Sequence, residues 1–121
     1  MKQANAKQKQ WMSDIAEWAE QNIGMLYSGY CGGSFELHHV VGRSAKQNKV
    51  AIGHEFILPV PFELHNVMSD HTDNVTHFKK NFVKRFGTQR SLFERMIADM
   101  RHYGIELPSD EIITAIMNTS A

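Results

Sequence analysis

The chain carries two adjacent histidines inside an apolar run, Phe35-Glu36-Leu37-His38-His39-Val40-Val41. The run predicts a short β-strand over Phe35–Val41, bounded by glycine-rich turns. Because side chains alternate across a strand, His38 and His39 are expected to point to opposite faces. One imidazole can therefore bind a metal ion while its neighbour reaches toward a substrate.

A second apolar run, Phe56-Ile57-Leu58, predicts another short strand. The strand is expected to end at Pro59 and Pro61, because neither proline suits the interior of a β-ladder. The polar, basic segment between the two runs predicts a loop. A helix is predicted to start near Phe62 and to carry His65. Strand, loop, strand and helix give the ββα order.

Helical periodicity dominates the rest of the chain. We predict a single, mostly helical α+β domain over residues 1–121, with an N-terminal helix at 7–23, a ββα core at about 31–72 and C-terminal helices over about 73–119. The apolar stripes of the predicted helices are Trp11, Ile15 and Trp18; Val75, Phe78, Phe82 and Phe86; Leu92, Phe93, Met96, Ile97 and Met100; and Ile112, Ile113 and Ile116.

Composition narrows the function classes. Thirteen basic residues balance thirteen acidic ones, which argues against a protein that binds nucleic acid through bulk positive charge. Local basic patches still permit a nuclease. No apolar run is long enough for a transmembrane helix, and no apolar segment of a secretory leader follows Met1. The single cysteine, Cys31, excludes an internal disulfide and favours a cytoplasmic location.

The histidines support metal chemistry. Imidazole nitrogens suit zinc and similar ions, and a catalytic site commonly has three protein ligands with one position left open. His38, His65 and His71 would supply those three ligands, and a phosphate oxygen would take the open position. His39, on the other face of the strand, could accept a proton from water because the pKa of an imidazole lies near neutrality.

The spacing of the later ligands leaves two alternatives. His65 and His71 are six residues apart, which corresponds to about 600° around an α-helix, so their side chains would diverge on a regular helix. Either the segment after Met68 leaves helical geometry, or the third ligand is Asp70 or is missing altogether.

Four short motifs together resemble the HNH, or ββα-metal, endonuclease superfamily. They are Phe35-Glu36-Leu37-His38-His39-Val40-Val41-Gly42-Arg43, Gly53-His54-Glu55-Phe56-Ile57-Leu58-Pro59, His65-Asn66 and His71-Thr72-Asp73. The pattern is most similar to the phage recombination-enhancement nucleases, which depend on RecA. The resemblance covers about residues 31–87.

This resemblance implies a phage or prophage DNA endonuclease that works in the cytoplasm of a bacterial host. It implies a divalent ion, zinc first and magnesium or manganese as alternatives, and a RecA-type filament as a partner besides DNA. Its implied ligands are His38, His65 and His71, and its implied catalytic residues are His39, His54 and Glu55, the last two at the position that orients the base. Phosphate contacts are expected from Arg43, Lys46, Lys79 and Lys80.

Two rival interpretations stay open. The first is a non-catalytic nucleic-acid- or protein-binding module with a structural zinc, in which Asp70 or His77 closes a four-ligand site. The second is an all-α interaction protein whose histidines are incidental. The His39→Ala variant separates the first rival from a nuclease, and metal content after purification tests the second.

Overall fold

The computed structural model describes residues 3–30, 32–66, 68 and 71–121. Within these ranges the fold is small and α+β, as predicted, with five α-helices and two separate two-stranded antiparallel sheets. The helices are α1 (Ala6–Asn22), α2 (Phe62–His65), α3 (Lys79–Phe86), α4 (Gln89–His102) and α5 (Asp110–Met117). The strands are β1 (Phe35–His39), β2 (Lys46–Gln47), β3 (Val50–Ala51) and β4 (Ile57–Pro61).

Helix α1 begins with a capping box. The Asn5 side chain accepts a hydrogen bond from Gln8 N (2.8 Å), and Gln8 Oε1 accepts one from Asn5 N (2.9 Å). Two of the helix's otherwise unpaired N-terminal groups are thereby satisfied. The helix passes into a short 3-10 turn at Ile23–Met25, close to the predicted end.

The two tryptophans of α1 are core anchors, as predicted. Trp11 is 5% exposed and Trp18 4%, and each indole N–H finds an acceptor. Trp11 Nε1 donates to the Glu55 carbonyl (3.0 Å), and Trp18 Nε1 donates to Asp99 Oδ2 (2.8 Å). Helix α1 is thus attached both to the segment before β4 and to α4.

Strand β4 runs through Pro59 and ends at Pro61, so the predicted end is wrong at Pro59 and confirmed at Pro61. Bonds near the two ends of the β1–β4 pair run from Val40 N to Phe56 O (3.1 Å) and from Phe62 N to Ser34 O (3.0 Å). Hydrogen-bonded and non-hydrogen-bonded pairs alternate along an antiparallel ladder, which leaves both prolines at non-hydrogen-bonded positions. Neither proline therefore removes a ladder bond.

The predicted loop between the two main strands contains a small hairpin. Strands β2 and β3 pair in register, and Asn48 and Lys49 form the turn with φ of 51° and 69°. Two consecutive left-handed residues match the turn that suits the twist of a two-residue hairpin. This hairpin was not predicted from the sequence.

Helix α3 begins at Lys79, later than the predicted start near residue 73. Asn74, which is fully buried, explains the difference. Its Oδ1 accepts hydrogen bonds from Thr76 N (2.9 Å) and His77 N (3.0 Å), and its Nδ2 donates to Asn66 O (3.0 Å). A side chain that binds nearby backbone amides in this way competes with helix formation.

The buried apolar side chains form one cluster to which α1, β4, α3, α4 and α5 all contribute. Every predicted core residue of α4 is buried, whereas Phe78 is 44% exposed and Ile112 and Ile113 are only partly buried. Among the described residues, no helix combines the length and apolar character needed to cross a membrane. The β1–β4 hairpin therefore rests on a helical core and carries its histidines beside it.

Candidate functional site

The alternation of β1 separates the two adjacent histidines. His38 lies opposite Leu58 and His39 opposite Ile57 in the β1–β4 register. The His38 ring packs against His65, with ring centroids 4.9 Å apart, while the His39 ring lies 5.7 Å from that of His54. The structure thus brings together two different pairs of imidazoles, one on each side of the strand.

The His38–His65 pair has the spacing of two ligands on one ion. His38 Nδ1 and His65 Nε2 face each other at 3.1 Å. Two nitrogen ligands at about 2.0–2.1 Å from one tetrahedral zinc would lie about 3.3 Å apart. The residues present therefore fit half of a tetrahedral metal site.

Glu36 completes this side of the strand. Its Oε1 lies 2.7 Å from His65 Nδ1, so the His65 ring can donate its proton there and turn its Nε2 lone pair toward His38. A carboxylate behind a histidine ligand is the usual means of fixing the tautomer and orientation of the ring. Sequence reasoning missed Glu36, although its place two residues before His38 puts both side chains on one face.

The neutral form of His38 is favoured by its surroundings. The pKa of His38 is lowered to about 4, first by burial and then by the nearby His65, while Gln89 acts in the opposite direction. His39 and Lys79 add smaller lowering effects. Metal ligation needs an unprotonated imidazole, so His38 is ready to bind an ion at neutral pH.

On the opposite face, His39 is also kept neutral. Its pKa is lowered by burial, then by the positive charge of Arg43 and by His54. Its Nε2 is buried and has no hydrogen-bond partner among the residues that the structure describes. A buried ring nitrogen that lacks a partner costs free energy, so a polar group that reached it on substrate binding would be favoured.

His54 and Glu55, the other two predicted catalytic residues, are both buried. The His54 ring stands nearly perpendicular to that of His39, at 83°. Glu55 instead turns toward α1, where its Oε2 accepts a hydrogen bond from Gln8 Nε2 (2.9 Å). These contacts place His54 beside the predicted base and make Glu55 an attachment point for α1.

His71, the predicted third ligand, lies in a turn outside any helix. Helix α2 ends at His65, so the chain leaves helical geometry before Met68, as the first of the two alternatives requires. His71 Nδ1 accepts a hydrogen bond from Asp73 N (3.0 Å), and its Nε2 lies 3.8 Å from Glu63 Oε1. The alternative ligand, Asp70, lies outside the described residues, as does Cys31.

Within the ranges that the structure describes, no group of three or more His, Cys, Asp or Glu side chains is arranged to hold a metal ion. The described geometry therefore brings together two of the predicted ligands, His38 and His65. The place of His71 as a third ligand stays a prediction.

The predicted phosphate contacts are exposed, and two of them act on the histidines of β1. Arg43, Lys46, Lys79 and Lys80 are all exposed. Arg43 acts electrostatically on His39, and Lys79 acts on His38. Arg43 and Lys46 also line a cavity of about 470 Å³ together with His54 and Glu55.

Gly53 shapes the wall of this cavity. A Cβ at this buried residue would lie 2.2 Å from the Arg43 carbonyl oxygen and 2.4 Å from that of Gly42. Only a glycine lets the two backbone segments approach so closely. The close approach fixes Arg43 next to the segment that carries His54.

Comparison with known proteins adds no assignment to this geometry. No family model, no curated protein and no solved structure matches the chain. The motifs and the contacts of their residues are therefore the evidence that bears on function.

Proposed function

We propose that this protein is a metal-dependent HNH-type endonuclease that hydrolyses phosphodiester bonds in DNA, in phage or prophage recombination or repair. One observation carries the proposal. Strand β1 presents His38 to His65 on one face, at a spacing that suits a shared ion, and a neutral His39 beside Arg43 on the other. A ligand and a base on neighbouring residues are the two parts that such a hydrolysis needs.

His38 Nδ1 and His65 Nε2 would hold the ion, with Glu36 keeping the His65 ring in place. Two imidazoles favour zinc, and magnesium or manganese are the alternatives. When bound, the ion would polarise a phosphate oxygen and offset the negative charge that develops during cleavage. His71 is the proposed third ligand.

His39 would act as the general base. It would accept a proton from a water molecule, whose oxygen attacks the phosphorus atom. The bond from phosphorus to one sugar oxygen then breaks, that oxygen takes a proton from solvent, and the phosphate stays on the other side of the nick. Because its pKa is lowered, His39 is unprotonated and able to accept the proton at neutral pH.

The exposed cations would position the backbone of the DNA. Arg43 and Lys46 lie on the His39 side of the strand, and Lys79 lies near His38. Lys80 extends the basic surface of α3. Contacts to phosphates fix orientation and carry no sequence information, so we propose cleavage of low sequence specificity. A RecA-type filament that delivers the DNA would compensate for a net charge of zero.

A plasmid-nicking assay with zinc, magnesium or manganese, with and without a recombinase filament, tests the proposal. The His39→Ala variant should lose at least about 100-fold in cleavage rate, the usual contribution of a general base, and should keep its metal content. His102→Ala is the matched control, because His102 is exposed at the end of α4.

Two results would contradict the proposal. Absence of cleavage by the wild type under every metal and filament condition would rule out the proposed nuclease activity. A metal content that stays stoichiometric in that inactive protein would then favour the rival module with a structural zinc, and absence of bound metal would favour the interaction protein.

A further inference from the structure

Gln89 is a buried polar residue that the mechanism above does not use. It is the first residue of α4, directly after Gly87, with φ of +100°, and Thr88, whose side chain accepts a hydrogen bond from Ser91 N (3.1 Å). The turn directs the Gln89 side chain inward, where the residue is 4% exposed. Glutamine is rarely buried without a specific partner.

The Gln89 side chain lies near His38 and acts to raise the pKa of that ring. In the described part of the chain, Gln89 Oε1 has no hydrogen-bond partner. A buried amide oxygen without a donor is unfavourable. We therefore expect a state of the protein in which a hydrogen-bond donor approaches Gln89 Oε1.

The two candidate ligands differ in how their outer nitrogens are supported. His65 has Glu36 behind its Nδ1 at 2.7 Å. His38 turns its Nδ1 toward His65, so its Nε2 is the ring nitrogen left for Gln89. Metal-bound histidines almost always donate their other N–H to an acceptor.

We propose that Gln89 is a positioning residue of the metal centre, whose Oε1 accepts the Nε2–H of His38 when Nδ1 binds the ion. The inference rests on the proposed function, because it assumes that His38 and His65 share a metal. In the metal-free protein, His65 Nδ1–H points to Glu36, so His38 carries its proton on Nδ1 and donates it to His65 Nε2. Metal binding then requires the His38 proton to move to Nε2, where Gln89 Oε1 accepts it.

Two substitutions separate this role from a packing role. Gln89→Leu removes the acceptor and keeps a side chain of similar size, and it also removes an unsatisfied buried oxygen, so thermal stability should be equal or higher. Gln89→Glu keeps an acceptor at the same place. Gln10→Leu is the control, because Gln10 is an exposed glutamine on α1.

The experiment measures zinc affinity by competition with a chelator and the protonation of the His38 ring nitrogens by ¹⁵N NMR, in the full chain. We expect Gln89→Leu to weaken zinc binding about 10- to 100-fold, the usual loss when a partner behind a ligand is removed. Gln89→Glu should stay within a few-fold of wild type, and Gln10→Leu should be unchanged. The zinc-loaded wild type should show the His38 proton on Nε2.

The outcomes distinguish the inference from the function on which it rests. If the wild type binds zinc through His38 and Gln89→Leu binds it equally well, the role of Gln89 is overturned and the metal centre stands. If the wild type binds no divalent ion, both are overturned. Weaker binding by both Gln89→Leu and Gln89→Glu would show that side-chain packing, and not acceptance of the proton, sets the affinity.

Discussion

The two faces of β1 are built in different ways. On the His38 face, polar groups support one another: Glu36 lies behind His65, His65 faces His38, and Gln89 lies beside His38. On the His39 face, the ring has a buried nitrogen without a partner among the described residues, and it lies near the exposed Arg43 and against His54, which lines a cavity. On the first face, polar contacts hold the imidazole rings in one orientation. On the second face, His39 Nε2 makes no hydrogen bond to the described residues.

This difference is what the proposed roles of His38 as a ligand and His39 as a base would require. A ligand must be held in one orientation, and buried hydrogen-bond partners provide that. A base must keep a lone pair available for the proton that it accepts, so its unsatisfied nitrogen is tolerated at a cost in stability. Substitutions that change one face at a time test this difference.

The largest effect is expected from His65→Ala. Without His65, only His38 and the proposed third ligand His71 would remain, so zinc binding should fall at least about 100-fold and cleavage should be lost with it. Isothermal titration with zinc measures the affinity, and His102→Ala again serves as the control. Zinc binding within a few-fold of wild type would show that the ion lies elsewhere.

Gly53→Ala should disturb the His39 face by crowding. The new Cβ would overlap the backbone of Gly42 and Arg43, and we expect a loss of about 3 kcal/mol in the free energy of unfolding. Urea denaturation measures it. In Gly42→Ala, φ is +91° but a Cβ would meet no atom within 4 Å, so that control should lose only about 1–2 kcal/mol from backbone strain. Equal losses of free energy of unfolding in the two variants would mean that the backbone around residue 53 shifts to accommodate the new Cβ.

The His38 face should make stability depend on pH in the metal-free protein. The unfolded chain protonates His38 below about pH 6.5, whereas the folded protein does so only near pH 4. The unfolded state therefore binds more protons between these values, and stability is full above pH 6.5 and lost as the pH falls toward 4. Allowing for partial solvent access, the loss is roughly 2 kcal/mol.

Urea denaturation at several pH values, with a chelator present, checks this dependence. His39 contributes in the same direction because its pKa is lowered too. The contribution of His38 is the part of the pH dependence that is lost in the His38→Gln variant, because glutamine does not titrate. An unchanged pH dependence in that variant would place the effect on other groups.

The smallest effect is expected on the basic rim of the His39 face. Arg43→Ala combined with Lys46→Ala removes two phosphate contacts, so DNA affinity should fall a few-fold and the dependence of binding on salt should become shallower by about two ions released. Fluorescence anisotropy at several salt concentrations measures both. Lys49→Ala, an exposed lysine in the β2–β3 turn, is the control. An unchanged salt dependence would place the DNA elsewhere.

Sequence periodicity predicted those elements whose residues face one continuous apolar surface. Helices α1 and α4 lie close to their predicted bounds because their stripes of buried residues have the helical spacing. Strand β1 and the opposite orientations of His38 and His39 followed from alternation alone. Helix α3 was misplaced because Asn74 Oδ1 accepts hydrogen bonds from the amides of Thr76 and His77, contacts that no periodicity encodes.

The parts of the site that the sequence did not provide are contacts between distant segments. Glu36 was visible on the same face as His38, but its partner on His65 depends on how α2 follows β4. Gln89 lies 51 positions after His38, and only the turn at Gly87 and Thr88 brings its amide inward. Glu55 is the opposite case. Its position next to His54 in the sequence suggested a catalytic role, but its side chain contacts α1.

The prolines of β4 limit how other chains can pair with this strand. On the side of β4 away from β1, two of the three backbone positions have no N–H to offer, and the third, Ile57 N, is already bound to the Glu55 carbonyl (2.9 Å). The Pro59 carbonyl on that side accepts from the Tyr27 hydroxyl (2.7 Å). A peptide or a second copy of the chain cannot extend the sheet there by strand addition, which protects a short hairpin from the commonest route to edge-to-edge aggregation.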